Sequence, residues 1–293
     1  MTGAAFAQDK PVVGLVMKSL ANEFFKNMLE GAEAHAAEKG TYELRAVGMQ
    51  SETDIETQIN AVENFITQQV DVIVIAPADS RALIAPLKRA ADAGIEVVNI
   101  DVELDPQAKT DAGVELAFVG PDNREGARMS GDTLAAELGQ GGKVVILEGN
   151  PGADNAIQRK LGFDDSIAAN GLELVDSRTA HWETEEANSV FTNMLTANPD
   201  IQGVMAANDS MALGVVKALE AANRTDIKVV GFDNISAIRP MIQEGKVLAT
   251  VDQFGSQMAA QAIDKALEVL AGAPPLEGWI KTDLALITAD TQN

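Results

Sequence analysis

The chain contains no cysteine. That excludes a disulfide framework, a thiolate nucleophile and a cysteine metal site. Aromatic residues are scarce, with nine Phe, two Trp and one Tyr among 293 residues. Basic residues are outnumbered: 22 Lys and Arg stand against 44 Asp and Glu, a net charge of −22. Such a field repels phosphate backbones and anionic lipid, so nucleic acid is not an expected partner. No apolar run approaches the roughly 20 residues that span a bilayer. The longest, VDVIVIAPA, has the length of a strand. Catalytic signatures are missing too. No G-x-G-x-x-G follows the first strand pattern, and no phosphate-binding G-x-x-x-x-G-K-[ST] or G-x-S-x-G elbow occurs. The run GQGG at 139–142 precedes a strand pattern and reads as a turn. The two histidines, His35 and His181, are far apart in sequence, and His35 is expected on the solvated face of a helix. No enzyme activity, metal or cofactor is expected from this inventory.

What is present is an alternation of strand and helix patterns. Short apolar runs such as VVGLVM, VDVIVIAP, IEVVNID, KVVILEG and IKVVGFDN are separated by segments of helical periodicity. Strands apolar on both faces, with helices between them, indicate parallel sheets covered on both sides. The run occurs twice, each time with about five strand–helix units, which is enough for two doubly wound α/β lobes of similar topology. The tail adds a strand in LATVDQ, a long helix in GSQMAAQAIDKALEVLAG and a late strand in LALITA, so the chain is expected to cross between lobes more than once. The first nine residues carry Ala5-Phe6-Ala7, a small-x-small pattern resembling a signal-peptidase site, and read as the remnant of an export signal.

In open α/β sheets ligands bind beyond the carboxyl ends of the strands. The residues found there are Lys18, Asn22, Phe24 and Phe25 after the first strand and Asp101 after VVNI. In the second run they are Asn155 and Arg159, His181 and Trp182, Asn208 and Asp209, Asp233 and Asn234, and finally Asp252 and Gln253. Amides donate and accept, carboxylates accept from hydroxyls, and a guanidinium donates as a fork. With flat aromatic faces added, the set suits a compact, neutral, polyhydroxylated molecule. Each position has a plainer alternative: Asp or Asn after a strand is often a helix N-cap, and Asp209 fits a cap better than a contact. Trp182 could belong to a lobe core. The pair Phe24-Phe25 poses a sharper question, because neighbours on a helix point about 100° apart and one core face cannot easily bury both.

The stretches VGLVMKSLANEFFKNMLEGA, VDVIVIAPADS, NAIQRKLGF, AHWETEEA, MAANDSMALGVVKAL, VVGFDN and LATVDQ resemble the periplasmic monosaccharide-binding proteins of bacterial ABC importers, in the ribose- and allose-binding branch. The resemblance covers the chain from Lys10 onward. It implies a type I periplasmic binding fold with two lobes and a three-segment hinge. The implied lobes are 10–117 with 254–281, and 118–253 with 282–293, after a 1–9 tail. It implies that Lys18 and Asn22 hydrogen-bond the sugar, that Phe24 and Phe25 face the ring, and that Asp101 accepts from hydroxyls. Arg159 would donate, Trp182 would stack, and Asn208, Asp233 and Gln253 would complete the polar ring. A sugar or sugar alcohol, a membrane permease, a periplasmic location and a monomeric state are expected with it. The chain departs from the pattern at Ala76, where ribose-binding relatives carry Asn, and at Val102, where relatives carry Arg or Glu. Both changes are expected to remove a polar partner from the first lobe.

Two other classes share parts of this reading. A lactose-repressor type of regulator needs a helix-turn-helix segment of about 50–60 residues ahead of the first strand, and that strand begins here at Val12. A sugar-modifying enzyme needs an oriented acid or base, which the sequence does not offer.

Overall fold

The computed structural model describes residues 10–291, so the Ala5-Phe6-Ala7 stretch lies outside the described residues. The chain begins with β1 (Val12–Ser19), α1 (Glu23–Lys39), β2 (Glu43–Met49), α2 (Ile55–Thr67) and β3 (Val72–Ile75). It continues through α3 (Ile84–Asp92), β4 (Glu96–Ile100), α4 (Pro106–Ala112) and β5 (Phe118–Gly120). Every residue of β3 is buried, as expected of a central parallel strand with helices on both faces. Helix α1 ends where Gly40 takes a left-handed φ of 61°, and its N–H bonds the carbonyl of Ala36. A side chain at Gly40 would meet nothing, so the backbone conformation alone favours glycine there.

The second run comprises α5 (Asn123–Leu138), β6 (Lys143–Glu148), α6 (Asp154–Asn170), β7 (Glu173–Thr179) and α7 (Thr184–Ala197). It closes with β8 (Gly203–Ala206), α8 (Asp209–Ala222), β9 (Lys228–Val230), α9 (Ile238–Gln243) and β10 (Thr250–Asp252). Three elements follow: α10 (Gly255–Leu270), β11 (Trp279–Lys281) and β12 (Ala285–Ile287).

The first sheet is parallel throughout and has the order β11-β5-β4-β3-β1-β2. The second has the order β7-β6-β8-β9, also parallel. A bridge from Val230 to Ala249 runs the β10 segment alongside β9, and β10 pairs antiparallel with β12. Both sheets therefore share one strand order, reversing direction beside β1 in one and beside β6 in the other. At each reversal the helices depart to opposite faces and leave a crevice at the strand ends.

The first crossing differs from the expected boundary. β5 pairs with β4 and β11 in the first sheet, so the chain leaves that lobe after Gly120 and not after residue 117. The chain returns between β10 and α10, and crosses again between β11 and β12. His35 also differs. It is half-buried, with Nδ1 2.8 Å from Tyr42 Oη and Nε2 3.3 Å from Asp264 of α10, because α10 packs on the α1 face that the sequence left open.

Candidate functional site

The two sets of strand ends face each other across a small cavity. Its walls are Lys18, Asn22, Phe24, Phe25 and Asp101 from the first lobe, and Asn155, Arg159, Trp182, Asn208, Asp233 and Gln253 from the second lobe and its return strand. All the expected site residues thus meet in one place. Asn155 joins them; its position after β6 was visible in the sequence, but the first turn of a helix is also where uncommitted polar residues sit.

The first-lobe wall is built by the β1–α1 turn. Asn22 is the N-cap of α1 and accepts from the Phe24 N–H at 3.0 Å, while its Nδ2 donates to Glu52 Oε1 at 2.8 Å. Cap and cavity residue are here the same side chain. Lys18 Nζ lies 3.2 Å from Glu52 Oε2, yet that oxygen has no aligned hydrogen bond. Glu52 is almost fully buried, and burial raises its pKa against the opposing pull of Lys18 and Asn22. It follows β2 in a polar stretch without strand character, so nothing in the sequence marked it as the support of Lys18 and Asn22. Phe24 and Phe25 pack edge to face at 5.0 Å, and both are buried and line the cavity. One buries against the start of α10 as well: a side chain at Gly255 would sit 2.6 Å from the Phe24 ring.

The second-lobe wall is organised by a buried guanidinium. Arg159, 2% exposed, donates from Nε to Asn123 Oδ1 at 2.8 Å and from Nη1 to the Ala207 carbonyl at 2.9 Å. Its Cζ lies 3.7 Å from the centre of the Phe232 ring, and Nη1 is 3.6 Å from Asp233 Oδ1. Gln253 Nε2 donates to that same Asp233 oxygen at 2.7 Å. Burial pushes the Asp233 carboxyl up to about 7, although Arg159 and the Gln253 bond pull the other way. Burial also raises Asp101, again opposed by Lys18 and Arg159. Asp209 is raised by burial and by Asp233, but it points away from the cavity, bonding Thr250 Oγ1 at 2.7 Å and the Ile235 N–H at 3.1 Å. Asn208 caps α8 by accepting from Met211 N–H at 2.9 Å.

Several wall residues hold backbone conformations that L side chains rarely adopt. Asp101 has φ 62°, Trp182 72° and Asp233 119°, and His181 beside Trp182 has 46°. Such conformations cost on the order of 1–3 kcal/mol each and cluster at ligand sites, where surrounding structure enforces them. Ala76 and Val102, the two departures from the family pattern, are fully buried and do not line the cavity. Among the described residues, no group of three or more His, Asp or Glu is placed to hold a metal ion.

The lobes are closed on each other. Ser80 N–H donates to the Gly152 carbonyl at 2.9 Å, and Asp154 N–H donates to Ser80 Oγ at 2.9 Å. Asn150 Nδ2 donates to the Ala78 carbonyl at 3.1 Å. On another part of the rim, Glu23 accepts from the N–H groups of Ser236 and Ala237 at 2.8 and 3.2 Å. Ala237 is the N-cap of α9 and has no side-chain cap of its own, so a carboxylate from the opposite lobe serves that helix start.

Residues 13–274 match the model of the periplasmic binding protein domain. The chain belongs to the periplasmic binding protein family. Within that family it is 48% identical over 286 residues to the D-ribose/D-allose-binding protein of Pseudomonas aeruginosa, an alignment covering 96% of this chain and 90% of the relative. A solute-binding protein of a Burkholderia multivorans ABC transporter, solved with an unknown ligand fitted as α-D-erythrofuranose, superposes with a TM-score of 0.93 at 44% identity. That superposition covers 96% of this chain and 100% of the other. The periplasmic solute-binding protein of an Actinobacillus succinogenes ABC transporter, with bound D-allose, gives a TM-score of 0.91 at 38% identity, covering 96% and 98%. The two-lobe α/β architecture expected from the sequence is the architecture of these periplasmic binding proteins.

Proposed function

We propose that this protein captures a neutral monosaccharide or sugar alcohol between its lobes and delivers it, as a periplasmic monomer, to the membrane permease of an ABC importer. One observation carries the ligand class. The cavity side chains leave three buried oxygen acceptors without a partner, Asp101 Oδ2, Asn155 Oδ1 and Gln253 Oε1, against one buried donor, Trp182 Nε1. Hydroxyl groups satisfy such a set because each can give a hydrogen and take one. A phosphate or carboxylate brings no hydrogen for those oxygens and would lie beside Asp101 and Asp233. The names of the relatives, one a ribose/allose binder and one holding allose, agree with this class.

Delivery follows from closure. A ligand that touches both walls binds the closed form better than the open form and shifts the population toward it. A thermal-shift screen over pentoses, hexoses, tetroses and polyols is expected to find a stabilising ligand. Solution X-ray scattering is then expected to show a smaller radius of gyration with that ligand at saturation than without it. Equal radii would defeat the closure mechanism, and stabilisation by amino acids or phosphorylated sugars alone would defeat the ligand class.

The Glu23 contact makes a separate expectation. Glu23→Ala removes a bond that exists only between closed lobes and touches neither the cavity nor a lobe core. An exposed contact of this kind is worth about 0.5–1 kcal/mol, so affinity should fall about two- to fivefold while the ligand-free melting temperature stays unchanged. Titration calorimetry and a melt of the same variant check both halves.

A further inference from the structure

Helix α6 places two polar side chains on the cavity one turn apart, Asn155 and Arg159. They are not alike. Arg159 is tied to Asn123 and Ala207 and neutralised by Asp233. Asn155 is equally buried, 3% exposed, yet its Oδ1 has no hydrogen-bond partner in the protein. It does not cap its own helix, whose N-cap is Ala153 with no side-chain bond. A buried amide oxygen left unpaired costs about 1–3 kcal/mol, a cost that Ala at the same place would avoid. Packing therefore gives no reason for Asn at 155, and its position on the cavity wall does.

We infer that Asn155 is a specificity-determining residue whose amide reads one hydroxyl of the ligand, accepting its hydrogen at Oδ1. This inference rests on the sugar-binding function proposed above. The other free oxygens are less selective. Asp101 lies in the field of Lys18 and Arg159, and Gln253 is already held by Asp233 through Nε2. Asn155 has neither charge nor a competing partner. A ligand that lacks a hydroxyl opposite it leaves the amide dry and unpaired, and a site built to bond a hydroxyl rejects the analogue without it by large factors.

Calorimetry on the wild type, Asn155→Ala and the similarly sized Asn155→Leu, with the best-binding sugar and its set of monodeoxy analogues, tests the assignment. Both variants should bind the parent sugar at least tenfold more weakly. One monodeoxy analogue should bind the wild type and Asn155→Ala within about twofold, because the residue and the hydroxyl it reads form one interaction. The ligand-free melting temperature of Asn155→Ala should not fall, since no internal bond is removed. Parent affinity within about twofold of wild type, or an equal loss on every analogue, overturns the assignment. A lower ligand-free melt in both variants, with discrimination intact, would make Asn155 structural and also overturn it. A wild type that binds no sugar or polyol would defeat the proposed function and this inference with it, an outcome distinct from unaltered binding by the variants.

Discussion

Arg159→Ala is expected to destabilise the protein by about 3–5 kcal/mol and to abolish ligand binding. Removing one member of a buried charge pair leaves the partner uncompensated, and that is the magnitude such changes show. Here the guanidinium offsets Asp233, Asp101 and Asp209, and burial already raises all of these carboxyls. It also fills the space against Phe232 and bonds the β8 end through Ala207. The sign of the pH dependence follows. A carboxyl whose folded pKa lies above its unfolded value contributes stability that is present below the unfolded value, near 4, and lost as pH rises through the folded one. Asp233 sits at about 7 with Arg159 in place, and without the cation its carboxyl and those of Asp101 and Asp209 move higher. The deficit of the variant should therefore be largest above pH 7 and shrink toward pH 5. Denaturant melts at pH 5 and pH 8 measure it. Arg159→Lys keeps a charge but not the fork and should recover part of the stability with little of the binding. A variant as stable as the parent at pH 8 would show that Arg159 serves the ligand alone.

The expectation for Arg159 from sequence was narrower, a second-lobe contact to sugar oxygens. The sequence places a side chain at a strand end, but it does not say which buried acids surround it. Asp101, Asn208 and Asp233 were legible because each follows an apolar strand, and the topology of open parallel sheets brings such ends together. Glu52 was not, because it supports Lys18 and Asn22 from a turn with no periodic pattern. The adjacent Phe24 and Phe25 were both expected to face the sugar ring, although one core face of a helix cannot easily bury both. Both line the cavity, and the start of α10, distant in sequence, supplies packing for Phe24 that a single helix face could not. The boundary at β5 failed for a related reason. Apolar periodicity reports that Phe118–Gly120 is buried, not in which sheet, and its second partner β11 is a short, half-exposed strand near the end of the chain. The short helices α4 and α9 went unread because a few residues carry too little periodicity to stand out.

Trp182→Ala is expected to lower stability by about 3 kcal/mol and to weaken binding beyond that loss. The resemblance implied that the indole stacks on the ligand, and a place in a lobe core was the plainer alternative. It does both: it is 3% exposed and joins the lobe core while lining the cavity. Its benzene edge packs so closely on Gly149 that a side chain there would sit 2.0 Å from Cζ2, which is why that position requires glycine. Burying and then deleting an aromatic ring of this size costs about 3–5 kcal/mol, and the lower end applies because part of the ring already borders open space. Alanine would inherit the left-handed φ of 72° unchanged, so no backbone strain is relieved to offset the loss. Trp182→Phe separates the two roles of the ring. It keeps most of the apolar contact, so the melt should shift by less than about 1.5 kcal/mol. It deletes Nε1, the one buried cavity donor without a partner, and should cost about tenfold in affinity if that N–H meets a ligand oxygen. Denaturant melts and calorimetry on both variants read these outcomes independently. An unchanged melt for Trp182→Ala would remove the indole from the core, and parent-like affinity in Trp182→Phe would leave the ring face, and not its N–H, as the part that meets the sugar.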